Sequence, residues 1–274
     1  PETIPVSEKN RVKMEKSCIA EDWLHPSDFD TEFHQNINLK NIILPENNNL
    51  KLIDVVINEH YWNLSENLPV KIKPILIISN QSCSTIAWAI HNTLGNQSFQ
   101  EFSSAFVGRG SQLSECFENT YEFSTVHLSN LENLPYISNQ ALLNIIKDGI
   151  CINPKMPFSA ESTKIFVEGL IILSASDKAP VVEPISKHID TILKIGAYSS
   201  NDIFQILLQR ADFYDLSFED KKHCLGAISQ ATRCNVRDAI EILHWAYRVC
   251  RAEGRHTITN DDLYTVFIYR KGLG

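Results

Sequence analysis

The residues best suited to chemistry lie in one short stretch. The apolar run Ile75-Leu76-Ile77-Ile78 leads into Ser79-Asn80-Gln81-Ser82-Cys83-Ser84-Thr85, and a helical pattern follows. Strand, polar loop and helix in that order bind phosphate when three conditions hold: glycines let backbone N–H groups curl around the oxygens, a lysine neutralises the outer phosphates, and a Ser or Thr holds magnesium. This loop has no glycine and no lysine, and only Ser84 or Thr85 meets the last condition. Ser82, Cys83, Ser84 and Thr85 therefore read as a phosphate cradle that has been taken apart.

Other chemistries leave no trace. Neither a pair of catalytic carboxylates nor a Gly-x-Ser-x-Gly or His-Glu-x-x-His constellation occurs. The seven cysteines (Cys18, Cys83, Cys116, Cys151, Cys224, Cys234 and Cys250) are odd in number, scattered, and free of Cys-x-x-Cys or zinc-ligand spacing. They read as small apolar residues in a reducing cytoplasm, and no metal site is expected. Cys83 has His91 two helical turns beyond it, but no base or oxyanion site is readable beside it, which argues against a nucleophile.

Composition sets the frame. With 274 residues, 43% of them hydrophobic, the chain can bury a sizeable core. A net charge of −8 argues against a general nucleic-acid coat, which needs clustered Lys and Arg. Arg233, Arg237, Arg248, Arg251 and Arg255 gather on or beside one helical stretch, but Asp238, Glu241 and Glu253 dilute them, and they read as a solvated helix face. The sequence contains no apolar run of about 18 residues and no signal-peptide pattern at its start, so a cytoplasmic chain without a membrane partner is expected. Because the chain does not begin with Met, a leader or further domains outside it stay open.

The elements that must position the loop can be placed along the chain. Residues 1–47 are polar, with weak periodicity around Trp23-Leu24 and Phe29–Phe33, and read as an extension lying across the main body. Residues 48–195 read as an α/β domain. Leu50, Ile53, Val56 and Ile57 mark a helix before the first strand; Ile86, Ala87, Ile90 and Leu94 mark one after it, closed at Gly95. Further strands are expected at Ser124–Leu128, Ile165–Val167 and Leu170–Leu173, the last two separate or continuous through Glu168-Gly169. Short β-branched strands between helices predict a mainly parallel sheet covered on both faces. Residues 196–274 carry only helical patterns: one at Ile203, Ile206 and Leu207, one opened by a Ser217/Asp220 capping box, one from Val236 to Cys250 closed by Gly254, and one opened by Thr259 and Asp262.

This order of elements resembles an AAA+ module of the P-loop NTPase-like class: a parallel sheet with helices on both faces, then a C-terminal all-helical lid. The resemblance covers residues 48–268 and is most similar in segment order to the Clp/HSP100 unfoldase family. Phe102-Ser103-Ser104-Ala105-Phe106-Val107-Gly108-Arg109-Gly110-Ser111-Gln112-Leu113 is similar to that family's pore-loop segment, and Ser124–Ile150, with Leu142–Gly149, to its next strand, helix and Asp-Gly continuation. The resemblance places the family's lysine on or near Cys83, its acidic pair on Ser129-Asn130, its polar sensor on Ser174-Ala175-Ser176, and its arginine finger near Lys187 and His188. Every one of these departures strikes the same chemistry. Asn235-Val236-Arg237-Asp238-Ala239 resembles the start of the family's sensor-2 helix, with Arg237 matching the arginine that in the family reaches from the lid to the phosphates.

Phosphoryl transfer depends on electrostatic positioning, so joint loss of lysine, carboxylates and finger leaves little to stabilise its transition state. The expected function is a pseudo-ATPase that serves as a protein-interaction or scaffold component, with other AAA+ subunits among its candidate partners. Two alternatives remain: an unfoldase or remodelling subunit completed by a partner, and a replication or recombination accessory of the clamp-loader or initiator type. Catalytic residues and cofactor are expected to be none, with binding of ATP or ADP, and of nucleic acid, left open. The expected vestigial pocket comprises Ser82, Cys83, Ser84, Thr85, Ser129, Asn130, Ser176 and Arg237. Arg237 has a second reading, as a lid-to-body ion pair. Phe106, Val107 and Gly108 form a pore loop or, alternatively, Phe102 and Phe106 form a buried helical pair. His127, in a central strand, reads as a hydrogen-bonded core histidine.

Overall fold

The computed structural model describes residues 26–66, 73–81, 83–107, 110–118, 120–121, 123–152 and 164–271. Helix α1 (Pro26–Asn36) and helix α2 (Lys51–Ser65) precede strand β1 (Ile75–Ile78). There follow α3 (Ser84–Leu94), β2 (Ser98–Ser103), a 3-10 turn at Ser104–Phe106, α4 (Gly110–Phe117), β3 (Ser124–Ser129) and α5 (Tyr136–Asp148). Strands β4 (Ile150–Ile152), β5 (Lys164–Phe166) and β6 (Leu170–Ala175), helix α6 (Val182–Ser186) and β7 (Thr191–Lys194) complete the α/β part.

The main sheet has five parallel strands in the order β2-β3-β6-β1-β7. Two of its three inner strands, β1 and β6, are apolar runs, because a central parallel strand is covered on both faces, whereas β3 buries Ser124, Thr125 and His127 as well. Alternation then sorts the side chains: Ile75, Ile77 and Ile172 enter one core with α2 and α3, while Leu76, Val126, Leu128 and Leu173 enter the other. Register sets Glu101 of β2 opposite His127 of β3, and Ile172 of β6 beside both His127 and Ile75.

Three expectations are corrected. The strand expected at Ile165–Val167 neither joins the main sheet nor continues into β6; Lys164–Phe166 pairs antiparallel with Ile150–Ile152 as a separate two-stranded sheet. Phe102 and Phe106 do not form a buried helical pair, since Phe102 is in β2 and Phe106, on the 3-10 turn, is 83% exposed. Ser217 opens no helix either: it lies in a short strand, β8 (Ser217–Phe218), and Asp220 is the cap, accepting from the His223 N–H.

After β7 come four helices, α7 (Ser200–Phe213), α8 (Lys221–Ala231), α9 (Val236–Ala252) and α10 (Asn260–Lys271), with β8 paired in parallel to β9 (Thr257–Ile258). Ser199 and Asp202 form a reciprocal capping box on α7, and Asn235 caps α9 by accepting from the Asp238 N–H. Along α9, Ala239, Ile242, Leu243, Ala246 and Cys250 make one buried stripe. That stripe belongs to the same apolar cluster as Ile77 and Leu193, so the helical part shares a core with one face of the sheet.

At the β7 edge, the side chain of Asn49 stands where another strand would. Its Nδ2 donates to the Ile192 carbonyl at 2.8 Å, and its Oδ1 accepts from the Lys194 N–H at 2.6 Å. No helix among the described residues is long and apolar enough to cross a membrane. The described cysteines form no disulfide with one another, and all but Cys234 are buried.

Candidate functional site

The carboxyl ends of β1, β2, β3 and β6 open into a cavity of about 430 Å³ under the amino end of α9. It lies beside β1, whose successor β2 is at the far edge of the sheet. Such a reversal of strand order leaves a crevice where open α/β sheets bind ligands. Cys83, Ser84, Ser129, Asn130, Ser176 and Arg237 all line the cavity. Thr85 faces elsewhere, with its hydroxyl 3.0 Å from His34 Nε2, and Ser82 lies outside the described residues.

The loop closes on itself and on the helical part. Gln81 donates its N–H to Ser79 Oγ at 3.1 Å and its Nε2 to the Cys234 carbonyl at 3.3 Å. Cys83 is the first residue of the turn into α3, and no side chain caps that helix end. A helix amino terminus favours negative charge. The chain supplies that charge itself: Ser84 Oγ donates to Glu101 Oε1 at 2.6 Å.

Glu101 lies beside a buried polar pair, His127 and Ser174. Its Oε1 is 3.3 Å from Nδ1 of His127, which is 0% exposed, and His127 Nε2 is 2.9 Å from Ser174 Oγ. Burial alone would raise the Glu101 carboxyl, but His127 and the Ser84 hydroxyl outweigh it and hold the group below the usual carboxylate range. Glu101 is thus a fixed negative charge on the cavity wall. A second carboxylate, Glu132, accepts the Ser176 N–H at 3.2 Å.

Neither glutamate nor Ser174 was expected in the pocket as a charged or hydrogen-bonding group. A hint existed in Glu101, an acid inside a strand otherwise flanked by Phe99 and Phe102, but the β2–β3 register that sets it against His127 is not written in either segment alone. Cys83 and His91 do not cooperate. Burial pushes the Cys83 thiol up to about 12, and His91, pushed down to about 4 by burial, faces Thr125 Oγ1 at 2.9 Å.

Arg237 is exposed at the cavity and makes no hydrogen bond or ion pair with another described residue, so the expected lid-to-body ion pair is not formed there. Lys187 is paired on the surface with Glu183 at 3.1 Å and does not reach the cavity. Val107 is buried, Phe106 projects outward, and Gly108 lies outside the described residues. Ser104 holds this turn to β3 by donating to the Ser129 carbonyl at 2.7 Å. Among the described residues, the cavity wall therefore offers one cation, Arg237, against Glu101 and Glu132, with no lysine. That set does not fit a magnesium triphosphate, whose binding needs surplus positive charge around the phosphates.

Solved structures with a similar fold exist. A mutant form of Thermotoga maritima RuvB superposes with a TM-score of 0.65 at 14% identity, covering 85% of this chain and 72% of that one. Another structure, titled as the Thermotoga maritima RuvB Holliday junction branch migration motor, gives a TM-score of 0.62 at 13% identity, over 86% and 73%. The Aeropyrum pernix ORC2 protein, in ADPNP–ADP complexes, gives 0.56 at 17% identity, over 83% and 69%. This chain has the AAA+ fold. No family model matches the sequence, and no curated protein matches it. At these identities the likeness concerns the fold, and the site must be read from its own residues. The cavity under α9 lies where the sheet and the helical part meet, with Glu101 on its wall.

Proposed function

We propose that this chain is an AAA+-fold module that does not turn over ATP alone and works as a protein-contact component of a larger cytoplasmic assembly. The observation that carries the reading is the ionised Glu101, hydrogen-bonded to Ser84 at the amino end of α3. A phosphate entering there meets a fixed carboxylate at the shortest range, where like charges repel most strongly. Arg237 alone does not offset two glutamates. Calorimetric titration with magnesium ATP and ADP, together with a steady-state phosphate-release assay on the pure chain, tests this; tight magnesium-dependent binding or sustained turnover would overturn it.

The likeness to a Holliday junction branch migration motor and to ORC2 favours, as the assembly, a replication or recombination machine in which this chain is an accessory. Direct DNA contact through the arginine-bearing helix draws less support. Arg255 is held by Glu253 and Asp262, and Arg248 lies 4.5 Å over the Trp245 ring. Binding of a fluorescent duplex at low salt that weakens steeply as salt rises would favour DNA contact. The Clp/HSP100-like reading, a remodelling subunit completed by a partner, draws on the outward Phe106. It predicts nucleotide turnover only in the mixed complex, and loss of remodelling with turnover kept in Phe106→Ala.

A further inference from the structure

We propose that the segment carrying α1 is a built-in clasp that holds the helical part on the α/β body by walling the slot between them with the chain's own side chains. Beside the polar cavity, between Thr85 and Ile86 of α3 and Val236 and Ile240 of α9, runs an apolar slot of which about 40 Å³ remains open. A cavity of ~150 Å³ is what admits a single benzene ring. Phe33 and Ile37, both buried, form its wall on the α1 side and pack with Ala89 of α3.

The clasp grips both sides. On the body, His34 Nε2 sits 3.0 Å from Thr85 Oγ1, and the Asn92 side chain donates to the carbonyls of His34 and Ile37 at 2.7 and 2.6 Å. On the helical side, Arg210 of α7 is 2% exposed; its NH1 is 2.8 Å from Asp30 Oδ1, and its guanidinium lies 3.6 Å from the centroid of Phe33. Past the end of α1, the Asn41 carbonyl accepts from Gln209 Nε2 at 2.6 Å. A buried guanidinium whose carboxylate comes from another element ties the two elements together, because separating them strands the charge. The α1 segment therefore adds a second tie between the helical part and the body, beside the core they share, with no ligand bridging it.

Hydrogen exchange followed by mass spectrometry on the full, nucleotide-free chain tests this. In Phe33→Ala, exchange in α7 and the first half of α9 is expected to rise about tenfold together with α1, while β3 and β6 stay as protected as before. A rise confined to α1 would overturn the clasp and leave α1 a passive cover. Should Phe33→Ala unfold throughout, Asp30→Asn decides, since it keeps size and removes only the charge facing Arg210: faster exchange in α7 supports the clasp, and an unchanged α7 overturns it. Because no nucleotide enters the measurement, its failure would leave the proposed lack of ATP turnover untouched.

Discussion

Oγ of Ser84 and Oε1 of Glu101 lie 2.6 Å apart, joining the first residue of α3 to strand β2 across the mouth of the cavity. The hydroxyl best placed to serve magnesium is thereby committed to a carboxylate of the same chain. Glu101→Gln keeps an acceptor for Ser84 and removes the charge. It is expected to cost about 1–2 kcal/mol in urea unfolding, because a charge-assisted bond becomes a neutral one. The same variant is expected to bind ADP roughly tenfold more tightly than the parent, read by calorimetry. Equal affinities would show that Glu101 does not gate the site.

Acid should loosen the fold before it titrates most carboxylates. His34, His91 and His244 are each pushed down to about 4, chiefly by burial, with the charge of Arg210 adding to the effect on His34 and His244. In the unfolded chain the same rings titrate near 6.5. Between those values the unfolded state binds more protons, so stability is full above pH 6.5 and declines as pH falls toward 4. A loss of about 1 kcal/mol per ring between about pH 7 and 5, after solvent screening, is expected in urea midpoints. His34→Gln should flatten that slope.

Two glycines should respond in opposite directions to alanine. A Cβ on Gly169, at the entry to β6, would stand 2.8 Å from the Ser124 carbonyl oxygen and closer still to its Oγ. Gly169→Ala is expected to destabilise by about 2 kcal/mol, as overpacking against backbone does. Gly226 lies inside α8 with nothing within 4 Å of a Cβ. Gly226→Ala should stabilise by about 0.5–1 kcal/mol, through helix propensity. Thermal melts of the pair would check both signs.

The start of α10 depends on one buried carboxylate. Asp262, 1% exposed, takes a two-point grip from Arg255 at 2.5 and 3.0 Å and accepts the Thr259 N–H at 2.8 Å. Burial would raise its carboxyl, but those bonds hold it below its ordinary value. Its contribution is therefore present above the ordinary carboxylate range and is lost as pH falls through the lowered value. Asp262→Asn is expected to cost about 1 kcal/mol, because its charge-assisted bonds become neutral while the partly exposed Arg255 keeps Glu253. Exchange protection in α10 should fall along with the unfolding midpoint.

The legible parts of the chain were those where one physical force dominates. Ile75–Ile78 and Leu170–Leu173 announced inner strands because burial on both faces favours unbroken apolar runs, and Ser124–Leu128 did so more weakly, through Thr125, Val126 and Leu128. The stripe on α9 and the stop at Gly95 were equally plain. Strand β2, with the sequence Ser-Phe-Gln-Glu-Phe-Ser, was missed because an edge strand packs on one side only and needs no such run. Thr191–Lys194 escaped for the same reason at the opposite edge. Cys83, Ser129, Asn130, Ser176 and Arg237 could be assigned to one pocket through the order of segments, whereas Glu132 is there because the 3-10 turn Leu131–Asn133 carries its side chain back to the Ser176 N–H. That contact depends on tertiary geometry and has no local signature.

Asn49 has one further consequence. Its amide imitates a peptide unit, giving and taking a hydrogen bond at the outer side of β7 just as a sixth strand would. A foreign chain, or a stray copy of this one, finds that stretch of ladder already spoken for and cannot extend the sheet by strand addition there. At this flank, recruitment is left to side chains on helices and turns, and the hazard of fibrous stacking through β7 is closed off by Asn49 together with the backbone bridge of Asn48 to Ile195.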